Sequence, residues 1–389
     1  MSPKSKHEYV TAIYKRYKKA NRKQKSAILN EFCTVCKYHR KWAIEKLNTF
    51  KFDTPKEFKD EKRGRPPIYK KDQVLEPLKR IWLAAHCPCS KHLKIMIPQW
   101  LPGYHEEFGS LSIDTCKFLL KISAPTIDRL LKPIRTKHKY RGFSATKPGT
   151  LLRKSIPIKV DQWNEFQPGF IESDTVHHCG SSMSGQYALT VDCVDIATGW
   201  TEQRATWGTG AIGVLNQIKH IETSLPFKLL GFDSDSGGEF INQELVKYFL
   251  NRNKNPVQFT RSRAYHKDDN AHIEQKNWTH VRQWLGYYRF DNPLIVDLLN
   301  ELYTSNDWRF LHNFFVPSVK LISKQRIGSK IIKKHDAPKT PVQRILESKF
   351  IDLKTKNFLK EQSKNLNPFQ LRKGIEIRLK AILKLASPP

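Results

Sequence analysis

Asp174, Asp235 and Glu274 are the residues whose type and spacing could do chemistry in this chain. They sit in "GFIESDTVHHCG" (169–180), "GFDSDSGGEF" (231–240) and "RSRAYHKDDNAHIEQKNW" (261–278). Their surroundings are strongly basic: 68 Lys and Arg against 37 Asp and Glu give a formal net charge of +31 and a pI near 9.8. A surplus of that size points to a polyanionic partner, nucleic acid first. Acids gathered on such a protein make sense if the polymer is also cut or joined. Phosphodiester chemistry uses hard divalent cations, which prefer oxygen ligands. Two such ions about 3.5–4 Å apart activate the attacking oxygen and stabilise the leaving one. Lys and Arg would hold the polymer while a small acidic centre does the reaction.

Other polar residues near these segments have plainer readings. Asp192 and Asp195 flank a strand-to-turn junction and read as hairpin residues. Asp268 and Asp269 precede a helix and suit its N-terminus, and Glu239 is expected to serve the start of the helix after Asp235. His177 and His178 could approach the acids from the first strand, but packed or solvent-facing rings are the simpler expectation. Tyr265, His266 and Lys267 suit a loop against substrate phosphate or an unpaired base. Lys276 and Arg282, on the helix of Glu274, are candidate phosphate contacts, with Arg263 a weaker one.

The elements that must position these residues can be read from periodicity. From Gln167 the texture is strand-like: "GFIESDTV", "QYALTVDCVD" and "WTEQRATW", with a turn at Ala197-Thr-Gly199. A helix (about 210–223), the strand "FKLLGFD", a helix (about 238–252), the strand "PVQFTR" and a long helix from near Asp269 follow. Three strands and then alternating helix and strand is the order of an α/β ribonuclease H-like core with a five-stranded mixed sheet. Asp174 then lies in or at the end of the first strand, Asp235 after the fourth, and Glu274 in the first turns of the last helix. Such positions can converge on one point.

Ahead of this core the chain reads as all-α. Residues 7–50 carry apolar side chains at helical spacing, and "RKQKSAILNEFCTVCKYHRKWAIEKLN" resembles a helix–turn–helix whose second helix is Tyr38–Asn48. The first 70 residues hold twenty Lys and Arg against seven Asp and Glu, a balance that suits a phosphate-facing surface. Cys33, Cys36 and His39 have ligand-like spacing, as do His86, Cys87, Cys89 and His92. No four-ligand pattern closes, so these cysteines read as packed thiols of helical cores, in a reducing compartment. "KRGRPP" (62–67) interrupts the helices. A second helical block ends in "ISAPTIDRLLKPI", where Ser123 can cap a helix with Pro125 in its first turn. Leu131–Val160 is rich in Lys and Arg and has no Asp or Glu, as an extended cationic strap would.

The expected domains are therefore a helix–turn–helix module (1–61), a second helix–turn–helix-like module (62–135), a basic linker (136–166), the catalytic core (167–300) and a basic C-terminal extension (301–389). Arg40, Lys41, Arg129, Lys137, Lys139 and Arg141 are the DNA-contact candidates of the first three. In the last, "KLISKQRIGSKIIKKHD" is basic and strand-prone, either a small DNA-binding extension or a basic edge packed on the core. No run approaches the roughly 18 apolar residues of a spanning helix. The N-terminus has no secretory pattern, so the expected setting is cytoplasmic, in a bacterial nucleoid, with no membrane partner.

Asp174-Thr-Val, Ser234-Asp-Ser-Gly-Gly-Glu-Phe240 and Asn270-Ala-His-Ile-Glu274 resemble the three signature segments of the integrase catalytic core, shared by retroviral integrases and bacterial insertion-sequence DDE transposases. "SAPTIDRLL", "KPGTLLRKSIPIK" and "TPVQRIL" extend the likeness toward the transposases, over roughly residues 10–345. The resemblance implies that Asp174, Asp235 and Glu274 are the catalytic acids and bind two Mg2+ or Mn2+ ions. It implies cleavage at element ends, transfer of the 3′-hydroxyl to target DNA, and a homo-oligomer assembled on double-stranded DNA. It also favours Asp235 over Asp233, because Gly237 and Glu239-Phe240 follow Asp235 at the family's spacing. Two features depart: Asp235-Ser-Gly237 replaces the usual Asp-Asn-Gly turn, and 38 residues separate Asp235 from Glu274. A metal-dependent nuclease without strand transfer, and a non-enzymatic DNA-binding derivative of a transposase, are the competing readings.

Overall fold

The computed structural model describes residues 1–50, 71–135, 165–234, 239–240, 242–252, 255–261 and 271–387. Asp235, the loop residues Arg263, Tyr265, His266 and Lys267, and Lys137, Lys139 and Arg141 of the basic linker lie outside them, as do Asp268 and Asp269. The chain divides into two compact units, Met1–Ile68 and Tyr69–Pro389.

The first unit is three helices, α1 (Pro3–Lys19), α2 (Arg22–Cys36) and α3 (Arg40–Thr49). Asn21 and Gln24 form a capping box that starts α2, and Lys37 ends it in the left-handed region at φ 56°. Val10, Ile13, Tyr17, Ile28, Leu29, Phe32, Cys36, Ala43 and Leu47 make the core. Cys36 is thus a packed thiol. Arg40 is exposed, yet its guanidinium donates to Ser26 Oγ at 2.8 Å and to Asn30, tying α3 to α2. Lys41 is exposed beside it.

The second unit opens with α4 (Lys71–Ala84), α5 (Ser90–Phe108), α6 (Ile113–Lys121) and α7 (Ala124–Arg135). Ser123 Oγ accepts from the Thr126 amide at 3.3 Å at the start of α7, and Arg129 on that helix is exposed.

The sheet follows: β1 (Phe170–His177), β2 (Ala188–Asp195), β3 (Thr201–Trp207), β4 (Gly231–Ser234) and β5 (Gln258–Arg261), in the order β3-β2-β1-β4-β5. β1–β2 and β2–β3 pair antiparallel, while β1–β4 and β4–β5 pair parallel. This is the ribonuclease H-like arrangement: a meander, then strands added on the far side of β1 through helical crossovers. Helix α8 (Ala211–Ser224) makes the first crossover and α9 (Gln243–Leu250) the second. Gly169 lets the chain enter β1 against β4. Its φ is 119°, and a Cβ there would meet Lys228 O at 2.4 Å.

Because side chains alternate along a strand, residues paired across the sheet share a face. One face carries Ile171, Val191, Cys193, Phe232 and Phe259, packed on Val214, Leu215 and Ile218 of α8 and Leu245 and Phe249 of α9. The opposite face is covered by α10 (Ala271–Lys276), which runs on through a π-helical segment, Asn277–Arg282, into α11 (Gln283–Leu285), and by α12 (Leu294–Thr304).

The chain ends with α13 (Asn306–Phe310), a second π-helical segment (Leu311–Phe315), the ribbon β6 (Leu321–Ile327) and β7 (Lys330–His335), and α14 (Pro341–Glu347), α15 (Leu353–Ser363) and α16 (Pro368–Lys384). Trp100 of α5, Trp308 of α13, Tyr303 of α12 and Phe369 and Ile375 of α16 belong to one hydrophobic cluster, so both ends of this unit share a core. The outer edge of β3 is protected by two side-chain amides that mimic a neighbouring strand. Asn300 exchanges hydrogen bonds with the backbone of Ala205 at 2.8 and 2.9 Å, and Asn313 does the same with Thr201 at 2.9 and 3.0 Å.

Candidate active site

The face of the sheet under α10 and α12 is built from polar residues. Glu172 and Asp174 of β1, Thr190 and Asp192 of β2, Gln203 of β3 and Asp233 of β4 all lie on it, set by the pairings Asp174↔Asp192↔Gln203 and Glu172↔Asp233. Buried polar groups must find partners, and the partners of Glu172 and Asp174 lie on the helix that carries Glu274.

Three hydrogen bonds pin that helix along β1. Glu172 is buried, and its carboxylate accepts the Ile273 amide at 3.1 Å, satisfying a donor that the first helical turn leaves without an intrahelical partner. Asn277 Nδ2 donates to Asp174 Oδ2 at 2.6 Å. Arg282 donates to the carbonyl of His177, the last residue of β1, at 2.8 Å. From Glu172 to Asp174 the strand rises about 7 Å, and from Ile273 to Asn277 a helix rises about 6 Å. The two elements therefore run side by side with matched spacing.

Of the three sequence-predicted acids, the clamp touches Asp174 directly and carries Glu274 on the same helix, one turn before the Asn277 contact. Asp174 is half-buried and also accepts the Thr175 amide at 2.7 Å, so two donors fix its carboxylate. Glu274 is exposed and lies one helical turn before Asn277, hence on the same side of the helix as the residue that touches Asp174. On the other side of β1, β4 runs parallel with Ser234 opposite Ser173. Asp235 is the next residue of the chain and lies outside the described residues. Asp233 is buried within β4 and accepts from Thr260 Oγ1 of β5, as a residue inside the strand would. Among the described residues no group of three or more His, Cys, Asp or Glu could hold a metal.

Lys276 and Arg282 are not surface cations, which corrects their reading as phosphate contacts. Two residues apart on a helix means about 200° of rotation, so if Glu274 faces outward Lys276 faces in. Lys276 is 5% exposed; burial holds its ammonium down to about pKa 8 against the favourable charge of Asp192. Asp192 lies fully buried mid-strand rather than at a hairpin end, accepts from Gln203 Nε2 at 2.8 Å, and is pushed by burial up to about 7. Arg282 spends its guanidinium on the His177 and Gly286 carbonyls and on the Tyr287 ring.

Both π-helical segments turn a histidine inward. His280 and His312 are buried with ring centroids 4.4 Å apart. His312 Nδ1 donates to Trp308 O at 2.9 Å, and burial lowers its pKa to about 3; His280 is likewise held well below its usual value by burial. Such widened turns often mark functional segments of helices, and one begins here three residues after Glu274.

The remaining sequence candidates fall as follows. His178 is fully buried, bonded to Thr190 Oγ1 at 2.8 Å and stacked on Phe290, so it packs. His177 sits between Tyr187 OH, at 3.2 Å, and Glu239, at 3.7 Å. Glu239 accepts from Thr175 Oγ1 at 2.8 Å. It does not serve the next helix, whose cap is Asn242. Asp195 does close the β2–β3 hairpin, accepting from Gly169, from the Thr198 amide and from the Thr198 hydroxyl at 2.6–2.8 Å. Sequence reasoning missed Asn277, although its place three residues after Glu274 was the available signal.

No family model matches the chain. The uncharacterized protein y4rM of Sinorhizobium fredii (strain NBRC 101917 / NGR234) is 37% identical over 345 residues, covering 87% of this chain and 94% of that protein. Among solved structures, a simian T-cell lymphotropic virus intasome in complex with the PP2A regulatory subunit B56 gamma aligns with 12% identity and a TM-score of 0.32. The alignment covers 62% of this chain and 73% of that one. No helix among the described residues is long and apolar enough to cross a membrane.

Proposed function

We propose that this chain, which belongs to the same family as the uncharacterized protein y4rM, is a DNA transposase: a metal-dependent polynucleotidyl transferase that cleaves insertion-sequence ends and joins the 3′-hydroxyl to target DNA. The observation that carries this reading is the Asn277–Asp174 bond, which ties the helix of Glu274 to the strand that carries Asp174. Both acids thus belong to elements packed together at the central strand of a ribonuclease H-like sheet, within a chain of net charge +31.

Carboxylate oxygens are the donor type that hard divalent cations select, so the residues fit Mg2+ or Mn2+, with Asp174 and Glu274 as two ligands and Asp235 as the third. When bound, the ions would polarise the scissile phosphate and supply the Lewis acidity of the reaction. The chain's own work is positioning. Glu172, Asn277 and Arg282 hold α10 against β1, so Glu274 would be presented beside Asp174 on a rigid element, and held geometry of this kind lowers the barrier. Arg40, Lys41 and Arg129 are exposed, and they are the proposed contacts to DNA, together with Lys137, Lys139 and Arg141 of the linker and Tyr265, His266 and Lys267 of the loop before α10. The DNA substrate would assemble a homo-oligomer, since two element ends must be held at once.

The test is strand transfer. The protein is incubated with Mg2+, a labelled duplex carrying a recessed 3′-hydroxyl element end from the DNA flanking the gene, and a plasmid target. Joined product is expected with the wild type and not with Glu274→Gln. Cut DNA that is never joined would reduce the function to a nuclease. Binding without cleavage by either protein would leave only a DNA-binding module.

A further inference from the structure

The ribbon β6–β7 is exposed on both faces from Lys324 through His335, with Leu321 and Ser323 half-buried at its base. The pairings Lys324↔Lys333 and Arg326↔Ile331 put Lys324, Arg326, Lys333 and Ile331 on one face. Gln325↔Ile332 and Ile327↔Lys330, with Lys334 next along, put two isoleucines and two lysines on the other. Ile322, Ile327, Ile331 and Ile332 are 53–61% exposed, and Lys320–His335 contains no Asp or Glu. An isolated two-stranded ribbon is marginal in water, yet the base of this one is locked. Lys320 and Asp336 pair backbone to backbone at 2.9 Å, Asp336 accepts from the Lys320 amide and from Arg344 at 2.6 Å, and Ser318 and Lys339 close a further bridge. A stiff arm therefore stands out from the core and presents cations and large apolar side chains in every lateral direction.

We infer that this ribbon is a second DNA-binding element, an arm that enters a groove of duplex DNA; the inference rests on the DNA-directed function proposed above. The two-sided pattern selects the partner. A protein surface or a bilayer would be met by one apolar face backed by a polar one. A groove has phosphate on both walls and base edges at its floor. The major groove is about 12 Å wide and admits a two-stranded ribbon. Seven residues of strand reach about 23 Å. Lys324, Arg326, Lys330, Lys333 and Lys334 meet the walls, while the isoleucines lie against base edges and sugars. The arm contributes affinity and orientation rather than the cutting chemistry.

The test uses the full chain and two variants. In one, Leu321–His335 is replaced by a short Gly-rich turn, which the paired residues Lys320 and Asp336 allow without disturbing the core. In the other, Lys324, Arg326, Lys330, Lys333 and Lys334 are all changed to Gln, substitutions at exposed positions that leave folding alone. Binding to a 30-base-pair duplex and to a single strand of equal length is followed by fluorescence anisotropy across a salt series. Each lost phosphate contact should lower the slope of log affinity against log salt by about 0.9. Both variants are expected to lose several units of slope and at least tenfold in affinity for the duplex, and to lose less for the single strand. Unchanged duplex binding with an intact thermal transition would overturn the arm while leaving the transposase reading standing. Equal losses on duplex and single strand would overturn groove entry. Variants that bind duplex normally but no longer self-associate in sedimentation, without DNA, would assign the ribbon to a second copy of the chain. A wild type that ignores duplex at low salt would sink the arm and the function together.

Discussion

Under α8 and α9 the sheet presents Ile171, Val191, Cys193, Phe232 and Phe259; under α10 and α12 it presents Glu172, Asp174, Thr190, Asp192, Gln203 and Asp233. Both faces are buried over most of their area, yet they are held by different physics. On the first, apolar area leaves water and the contacts are interchangeable. On the second, specific bonds fix the elements: Glu172 and Asp174 hold the helix of α10, Thr190 meets Tyr303 of α12, and Gln203 meets Trp308 of α13. The second arrangement is the one that can aim a carboxylate. Its energetic return is small, because a buried polar network at best offsets its own desolvation. Stability and function should therefore separate by face, and substitutions can test that separation.

The largest separation is expected in activity. Asp174→Asn and Glu274→Gln should each lower strand transfer by at least about 1000-fold, about 4 kcal/mol on the barrier, with little change in thermal midpoint. Asp235→Asn should behave likewise, whereas Asp233→Asn should retain much more activity. Comparable loss from Asp233→Asn and Asp235→Asn would reopen which of the two is catalytic. Phe232→Ala tests the other face. Phe232 is 2% exposed and lies 4.9 Å from the Phe249 ring, so its loss should cost about 3–5 kcal/mol of stability by urea titration. If Phe232→Ala proved milder than Asp174→Asn in stability, the contrast between the faces would fail.

The same contrast explains what could be read in the sequence. Strand order was legible because β-rich runs and turn signals mark the strands and crossovers, and Asp174 falls within the first strand as expected. Strand β2 is buried at every residue, so it lacks alternation, and Asp192 in its middle read as a junction. Lys276 and Arg282 announced charge but not direction, and the π-helical segment between them changes the phase of the helix. Trp308, Phe314 and Phe315 lie just before a basic run, which concealed that residues past 300 complete the core around α5. The Asn277–Asp174 bond joins residues 103 positions apart, and no local pattern encodes such a partner.

A third prediction concerns acid. Burial lowers the pKa of His86 and His272 to about 4 and of His312 to about 3, and holds His178 and His280 well below their usual value. The unfolded chain protonates these rings near pH 6.5 while the folded one does not. Stability is thus fully present above about 6.5 and falls as pH drops toward 4. Asp192 and Asp195, raised by burial to about 7 and about 6, act in the opposite sense over the same window, since only the folded chain keeps them protonated. Five histidines outweigh two carboxylates. Urea midpoints should therefore fall clearly by pH 5. A midpoint that rises on acidification would show the carboxylates dominating.

The smallest and sharpest prediction is Asn277. Asn277→Ala removes one hydrogen bond to a carboxylate, about 1.5–3 kcal/mol where both groups are held in place, but α10 remains attached through Glu172 and Arg282. Little of that should appear as global stability. Two effects compete at the site. Loss of the amide leaves Asp174 more basic, which favours a cation, and lets the turn of Glu274 drift, which spoils alignment. Positioning acts on the rate and basicity acts on metal binding, so the two can be told apart. Asn277→Ala should lower strand transfer at saturating Mg2+ about tenfold without raising the Mg2+ concentration needed for half-maximal rate. Asn277→Asp places a second carboxylate against Asp174, and should demand more Mg2+ as well as react more slowly. An unchanged rate in Asn277→Ala would mean that the outer two bonds alone aim Glu274, and that the polar face tolerates loss at its centre.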